Sequence, residues 1–94
     1  MVKYLMNEHI ISENVGLKEN DDVMLYNQVT EDVYVINSTA FEIFSELDKA
    51  KSEVEIYQII KARYVIEDDL ILGDIKEILS DFLIKGLICE IKSE

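Results

Sequence analysis

Few side chains in this 94-residue sequence combine a reactive type with a reactive spacing. His9 is the one histidine. It has the chemistry of a metal ligand or general base, but residues 1–9 hold only a short apolar patch broken by Asn7 and Glu8. That stretch reads as a loosely ordered end carrying an uninvolved imidazole. Cys89 is the one cysteine and can form no internal disulfide. It has no histidine beside it in sequence and lies in the apolar run Leu87-Ile88-Cys89, so a buried, inert thiol is expected rather than a nucleophile. Ser38 and Thr39 offer hydroxyls, yet they stand where a helix begins, and capping accounts for them. Asp68 and Asp69 could act as acid and base, but among 20 acidic residues an adjacent pair carries little information. They read as a solvated helix start. The three glycines are isolated and make no phosphate-cradling loop. No Cys/His cluster has metal-ligand spacing. These residues point to no catalysis, no metal and no cofactor, and so toward binding.

Composition bounds what could be bound. Nine basic residues against 20 acidic ones give a net charge of -11. That charge weighs heavily against nucleic acid as a partner, because affinity for phosphate needs clustered Lys and Arg that release counterions. An anionic membrane surface is disfavoured for the same reason. With 49% hydrophobic residues the chain is no disordered acidic tail, and its length suits one domain over residues 1–94. No apolar run is long enough for a membrane span, and the first residues lack the apolar stretch of a secretory signal. A cytoplasmic location is expected.

The elements that position any binding surface follow from the hydrophobic period, which changes once, near residue 38. Before that point it is strand-like. Ile10-Ile11-Ser12 opens a short strand, with Val15 and Leu17 extending it past Gly16. After a polar break over residues 18–22, residues 23–29 alternate, with Val23 and Leu25 on one face and Met24 and Tyr26 on the other. Thr30-Glu31-Asp32 is a polar turn leading to Val33-Tyr34-Val35-Ile36, β-branched and aromatic, so a β-hairpin is predicted. After residue 38 the period is helical. Asn37, Ser38 and Thr39 are three possible caps, and Thr39 with Glu42 fits a capping box. Ala40, Ile43, Phe44 and Leu47 then form one stripe of a helix ending near Asp48. Ser52 with Glu55 opens a second helix carrying Ile56, Ile59, Ile60 and Tyr64. Glu67-Asp68-Asp69 opens a third, with Ile71, Ile75, Ile78, Leu79 and Phe82, stopped by Lys85-Gly86. A short closing strand follows over residues 87–91. The fold class is α+β: an N-terminal three-stranded antiparallel sheet followed by three helices, with the helices as a helix-turn-helix-like cluster and the sheet as its wing.

Two features suggest binding. The strand over residues 33–36 ends a hairpin, and an uncovered edge offers N–H and C=O groups to an added strand; the plain alternative is an edge blunted by Glu31 and Asp32. The third helix is wider in its apolar stripe than one buried face needs, since Leu72, Leu79 and Leu83 extend it sideways. That width fits a helix buried on two sides, a groove wall, or a homodimer face.

The segment Val35-Ile36-Asn37-Ser38-Thr39-Ala40-Phe41-Glu42-Ile43-Phe44-Ser45-Glu46-Leu47-Asp48 resembles the "hydrophobic-Leu/Ile-Asn-x-Thr-Ala/Gly-x-x-Ile-aromatic-x-x-Leu-Asp" pattern of the PqqD family. Val54-Glu55-Ile56 and Ala62-Arg63-Tyr64 resemble its second helix. Asp74-Ile75 and Phe82-Leu83-Ile84-Lys85-Gly86-Leu87-Ile88 resemble its third helix and terminal "Leu-x-x-x-Gly-Leu-Ile". The similarity runs over about residues 10–91. It implies a small winged helix-turn-helix domain, a precursor-peptide recognition element for ribosomally made natural products. Such a domain binds the leader segment of the precursor and presents it to a separate modifying enzyme, a radical SAM maturase or a leader peptidase or cyclase. By position, the implied strand wall of the peptide site is Asp32, Val33, Tyr34, Val35 and Ile36, and the implied helix wall is drawn from Leu72, Ile75, Lys76, Leu79 and Leu83. The chain departs from the pattern at Lys49-Ala50-Lys51, where the family often has glycine. Its acidity departs too, leaving Lys76 as the main cation for gripping an acidic leader. A leader with apolar anchors or basic residues fits the charge better.

Two rivals belong to other classes. A winged helix-turn-helix DNA-binding regulator would have to contact phosphates with only Lys61 and Arg63 of the second helix, among Glu53 and Glu55. A dimerising scaffold would use the third-helix stripe on itself.

Overall fold

In a computed structural model, the described residues are 2–14, 22–63 and 68–92, with side chains of 14 and 68–71 left aside. The elements run β1 (Val2–Met6), β2 (Ile10–Asn14), β3 (Val23–Asn27), β4 (Val33–Ile36), α1 (Ser38–Glu46), α2 (Glu53–Arg63), α3 (Asp68–Ile84) and β5 (Ile88–Lys92). The class is α+β, with three helices and two antiparallel sheets. One sheet has the order β2-β3-β4; the other is the pair β1-β5. The expected extension of the first strand through Val15 and Leu17, the polar break at residues 18–21, Tyr64 and Glu67 lie outside the described residues.

Residues 2–9 depart from the loose segment expected for the first nine. Val2–Met6 is a strand in register with β5, Val2 opposite Lys92 and Met6 opposite Ile88. Its other side is held as well: Tyr4 exchanges both backbone hydrogen bonds with Lys51 (2.7 and 3.0 Å), and the Met6 N–H donates to the Leu47 carbonyl (2.8 Å). Asn7 turns the chain, donating its side-chain amide to the Gly86 carbonyl (3.0 Å) and accepting from the His9 N–H (3.0 Å). Apart from His9, these partners come from the middle and the far end of the chain, so the local sequence gives no sign of them. Cys89 is a second correction: it is exposed. Within β5 it alternates with the buried Ile88, and its thiol reaches only the Leu5 carbonyl, at 3.5 Å.

The hairpin forms where the alternation placed it. Val23 and Leu25 are buried and Met24 and Tyr26 half-buried, while β3 ends at Asn27, two residues early. The Asn27 side chain accepts from the N–H groups of Val29 (2.9 Å) and Thr30 (3.1 Å), which turns the chain there. Glu31 closes the loop in the left-handed region, at φ 66°.

Helix starts and stops follow local chemistry. At α1 the cap is Asn37, whose side chain accepts from the Ala40 N–H at 2.8 Å; Thr39, the capping-box candidate, lies inside the helix. Asn37→Ala should therefore lower unfolding stability by about 1 kcal/mol and Thr39→Ala by much less, a difference that urea denaturation of the two variants would resolve. At α2 the Ser52–Glu55 capping box is present in both directions. The Ser52 N–H donates to Glu55 Oε1 (3.0 Å), and the Glu55 N–H donates to Ser52 Oγ (3.2 Å). The bond from the Ser52 backbone, with Lys3 nearby, holds the Glu55 carboxyl below its ordinary range. Gly86, at φ 71°, ends α3: its N–H donates to the Leu83 carbonyl (3.1 Å) and that of Leu87 to the Phe82 carbonyl (2.9 Å), the paired bonds of a Schellman stop.

One core joins the layers. Val23, Leu25 and Ile36 from the three-stranded sheet meet Ala40, Ile43, Phe44 and Leu47 of α1 and its end, Ile56 and Ile60 of α2, and Ile75, Leu79 and Phe82 of α3. The Phe44 and Phe82 rings meet edge to face, 5.9 Å between centroids at 88°.

Candidate functional site

The β4 edge is defined by its hydrogen-bond phase. The register pairs Tyr26 with Val33, Leu25 with Tyr34, Met24 with Val35 and Val23 with Ile36. The Asn27 N–H donates to the Asp32 carbonyl at 2.9 Å, which makes that pair hydrogen-bonded. In an antiparallel ladder bonded and non-bonded pairs alternate, so Tyr34 and Ile36 turn their backbone groups to β3. Val33 and Val35 turn theirs away from the sheet. Because β4 is last in the order β2-β3-β4, those groups meet no strand among the described residues.

Side chains follow the opposite alternation to either face. Ile36 is buried and Tyr34 packs on the core. Val33 and Val35 are 52% and 59% exposed, on the outer face, beside the half-buried Met24 and Tyr26. Asp32 is exposed at the start of the strand. All five implied strand-wall residues thus lie in one short edge.

The helix wall is divided. Ile75 and Leu79 are fully buried in the core, while Leu72 and Leu83 are partly buried. Lys76 is exposed and lies 4.0 Å from Glu53 of α2. The cation beside β4 is instead Lys85, its ammonium 5.5 Å from the centre of the Tyr34 ring and 2.8 Å from Asp81. Positions 76 and 85 are two and a half turns apart at about 3.6 residues per turn, so they leave the helix on opposite sides. The flank bearing Asp81 and Lys85, with Ile78 next to it packed on the core, runs beside Tyr34. Leu72, Lys76 and Leu83 share the opposite flank. Periodicity shows how wide an apolar stripe is but not which rim faces a given strand, so Ile78, Asp81 and Lys85 had no distinguishing signal in the sequence.

The basic residues of α2 are engaged within the fold. Arg63 pairs with Glu46, and Lys61 lies over the Tyr57 ring at 5.6 Å. Among the described residues no three His, Cys, Asp or Glu side chains are grouped to hold a metal, and no helix is long and apolar enough to cross a membrane.

The model of one protein family, coenzyme PQQ synthesis protein D (PqqD), matches residues 22–88, from the start of β3 into β5. The chain belongs to the PqqD family. Comparison with curated protein sequences gives no match. Among solved structures, similarity extends to TbiB1 in complex with the TbiA(beta) leader peptide, at 21% identity and a TM-score of 0.73, covering 89% of this chain and 93% of that one. It also extends to lasso peptide synthetase B1 complexed with its leader peptide, at 16% identity and a TM-score of 0.72, covering 92% and 96%. At such identities the likeness concerns the fold. The matched region takes in the hairpin, all three helices and the β4 edge.

Proposed function

We propose that this PqqD-family domain binds the leader segment of a ribosomally synthesised precursor peptide by strand addition at β4, and presents the precursor to a separate modifying enzyme. The observation that carries this reading is the outward phase of Val33 and Val35, which leaves donors and acceptors ready for an extended peptide beside α3. Two proteins of the same fold have been solved with leader peptides, which supports it. The domain itself acts as a non-catalytic, cytoplasmic adaptor. Its helices and the β2-β3-β4 sheet stand as trihelical cluster and wing of a winged helix-turn-helix. The enzyme it serves is of the radical SAM maturase or leader peptidase or cyclase type.

Peptide recognition has two components here. Main-chain bonds to Val33 and Val35 supply affinity that depends little on sequence. Tyr34 with the Ile78, Asp81 and Lys85 flank of α3 supplies side-chain discrimination on the inner face. The DNA reading is disfavoured by net charge and by the engagement of Lys61 and Arg63 within the fold.

Amide hydrogen exchange with a synthetic leader peptide tests the reading. The Val33 and Val35 N–H groups should exchange fast in the leader-free monomer and become protected on titration. Those of Tyr34 and Ile36, already bonded to β3, should change little. Protection that appears elsewhere and spares Val33 and Val35 would rule out this edge.

A further inference from the structure

We propose that the β4 edge also pairs two copies of this chain, through a two-fold antiparallel β4–β4 contact centred on Tyr34. The sequence of the edge, Val33-Tyr34-Val35, is the same in both directions. A two-fold axis at Tyr34 therefore sets Val33 opposite the partner's Val35, Tyr34 opposite the partner's Tyr34, and Val35 opposite the partner's Val33. The phase agrees with this register. Val33 and Val35 are the residues whose N–H and C=O groups point outward, so both pairs that meet are of the doubly bonded kind, and four main-chain hydrogen bonds form at once. An axis at Val33 would instead engage Glu31, held at φ 66° in the turn. An axis at Val35 would engage Asn37, already occupied as the cap of α1.

The side chains suit the same register. Val33 and Val35, more than half exposed in the single chain, cover their counterparts on the outer face as β-branched cross-strand pairs. The two Tyr34 rings meet on the inner face between Lys85 and its symmetry mate, a favourable aromatic pair. This is an isologous contact that closes after two copies. Opposing it is charge, since each copy carries -11, with Glu31 and Asp32 at the ends of the pairing. Association should therefore strengthen as salt screens that repulsion. The contact uses the groups assigned above to the leader, so a bound leader and a second copy exclude one another. The pairing itself does not rest on the leader reading.

Sedimentation velocity on the whole chain alone, between about 10 μM and 1 mM at low and high salt, tests it. The expected result is a sedimenting mass that rises toward twice the monomer with concentration, and sooner at high salt. Val35→Pro, which removes an outward donor, and Val33→Lys, which charges the edge, should both sediment as monomers with unfolding temperatures close to the parent's. If Val35→Pro fails to fold, Val33→Lys, altered only at an exposed side chain, carries the test. A monomer across the whole range at high salt would overturn the proposal. So would a dimer that persists in the folded variants, since that would place the contact on another face such as α3.

Discussion

Val35→Pro should abolish most leader binding while leaving the domain folded. The N–H at this position points away from β3, so proline removes no bond of the existing ladder, and Tyr34 before it is already in the extended region that a following proline requires. An incoming strand, by contrast, loses a donor at the middle of the edge and meets the pyrrolidine ring instead. Leaving the peptide's carbonyl unpaired costs about 1–3 kcal/mol, which corresponds to a weakening of about ten- to a hundred-fold. The contrast with the neighbouring position sharpens the expectation. Ile36→Pro removes a donor that β3 uses and should destabilise the whole sheet. Isothermal titration of the leader, paired with thermal unfolding of each variant, reads both effects. A folded Val35→Pro that binds as tightly as the parent would remove β4 as the peptide's partner strand.

Phe82→Ala should produce the largest loss of stability among single truncations in the core. Phe82 is 1% exposed, its ring stands edge-on to Phe44, and its carbonyl accepts the Leu87 N–H at the stop of α3. Truncation leaves a cavity among residues of α1, α3 and the sheet, at a cost of about 3–5 kcal/mol. A domain of this length has about 5–14 kcal/mol in all, so the variant should sit near the limit of folding. Urea denaturation would show a midpoint far below the parent's with an unchanged slope. A loss below about 1 kcal/mol would mean that the core closes around the gap and that Phe82 is not its centre.

Local chemistry made much of the fold legible. Alternation separated Val23 and Leu25 from Met24 and Tyr26. The 3.6 period found the buried stripe Ala40, Ile43, Phe44 and Leu47. The Ser52–Glu55 reciprocal bonds and the Gly86 stop are written in the residues that make them. What stayed hidden depends on partners distant in sequence. Val2–Met6 becomes a strand because β5, some ninety residues later, and Lys51 pair with it. Cys89 faces outward because its neighbour Ile88 takes the inward position. The cap of α1 is Asn37 rather than Thr39, a choice among three adjacent capable residues that spacing alone could not make. The β4 edge was legible because a strand has only two faces and two edges. Which flank of α3 runs beside Tyr34 was not, because the angle at which α3 lies against β4 is set by the packed core. That angle turns Lys85 toward Tyr34 and Lys76 toward Glu53.

The pairing of β1 with β5 has a practical corollary for how such a domain can be joined to other proteins. Val2 and Lys92 are strand neighbours, so a tether attached before the first or after the last of them departs from the same corner of the fold. An enzyme fused at either side would have the same reach to β4. A short linker joining the two ends, with the chain reopened in a surface loop, should yield a circular permutant that keeps its native topology. Connectivity and geometry are thereby decoupled in this domain.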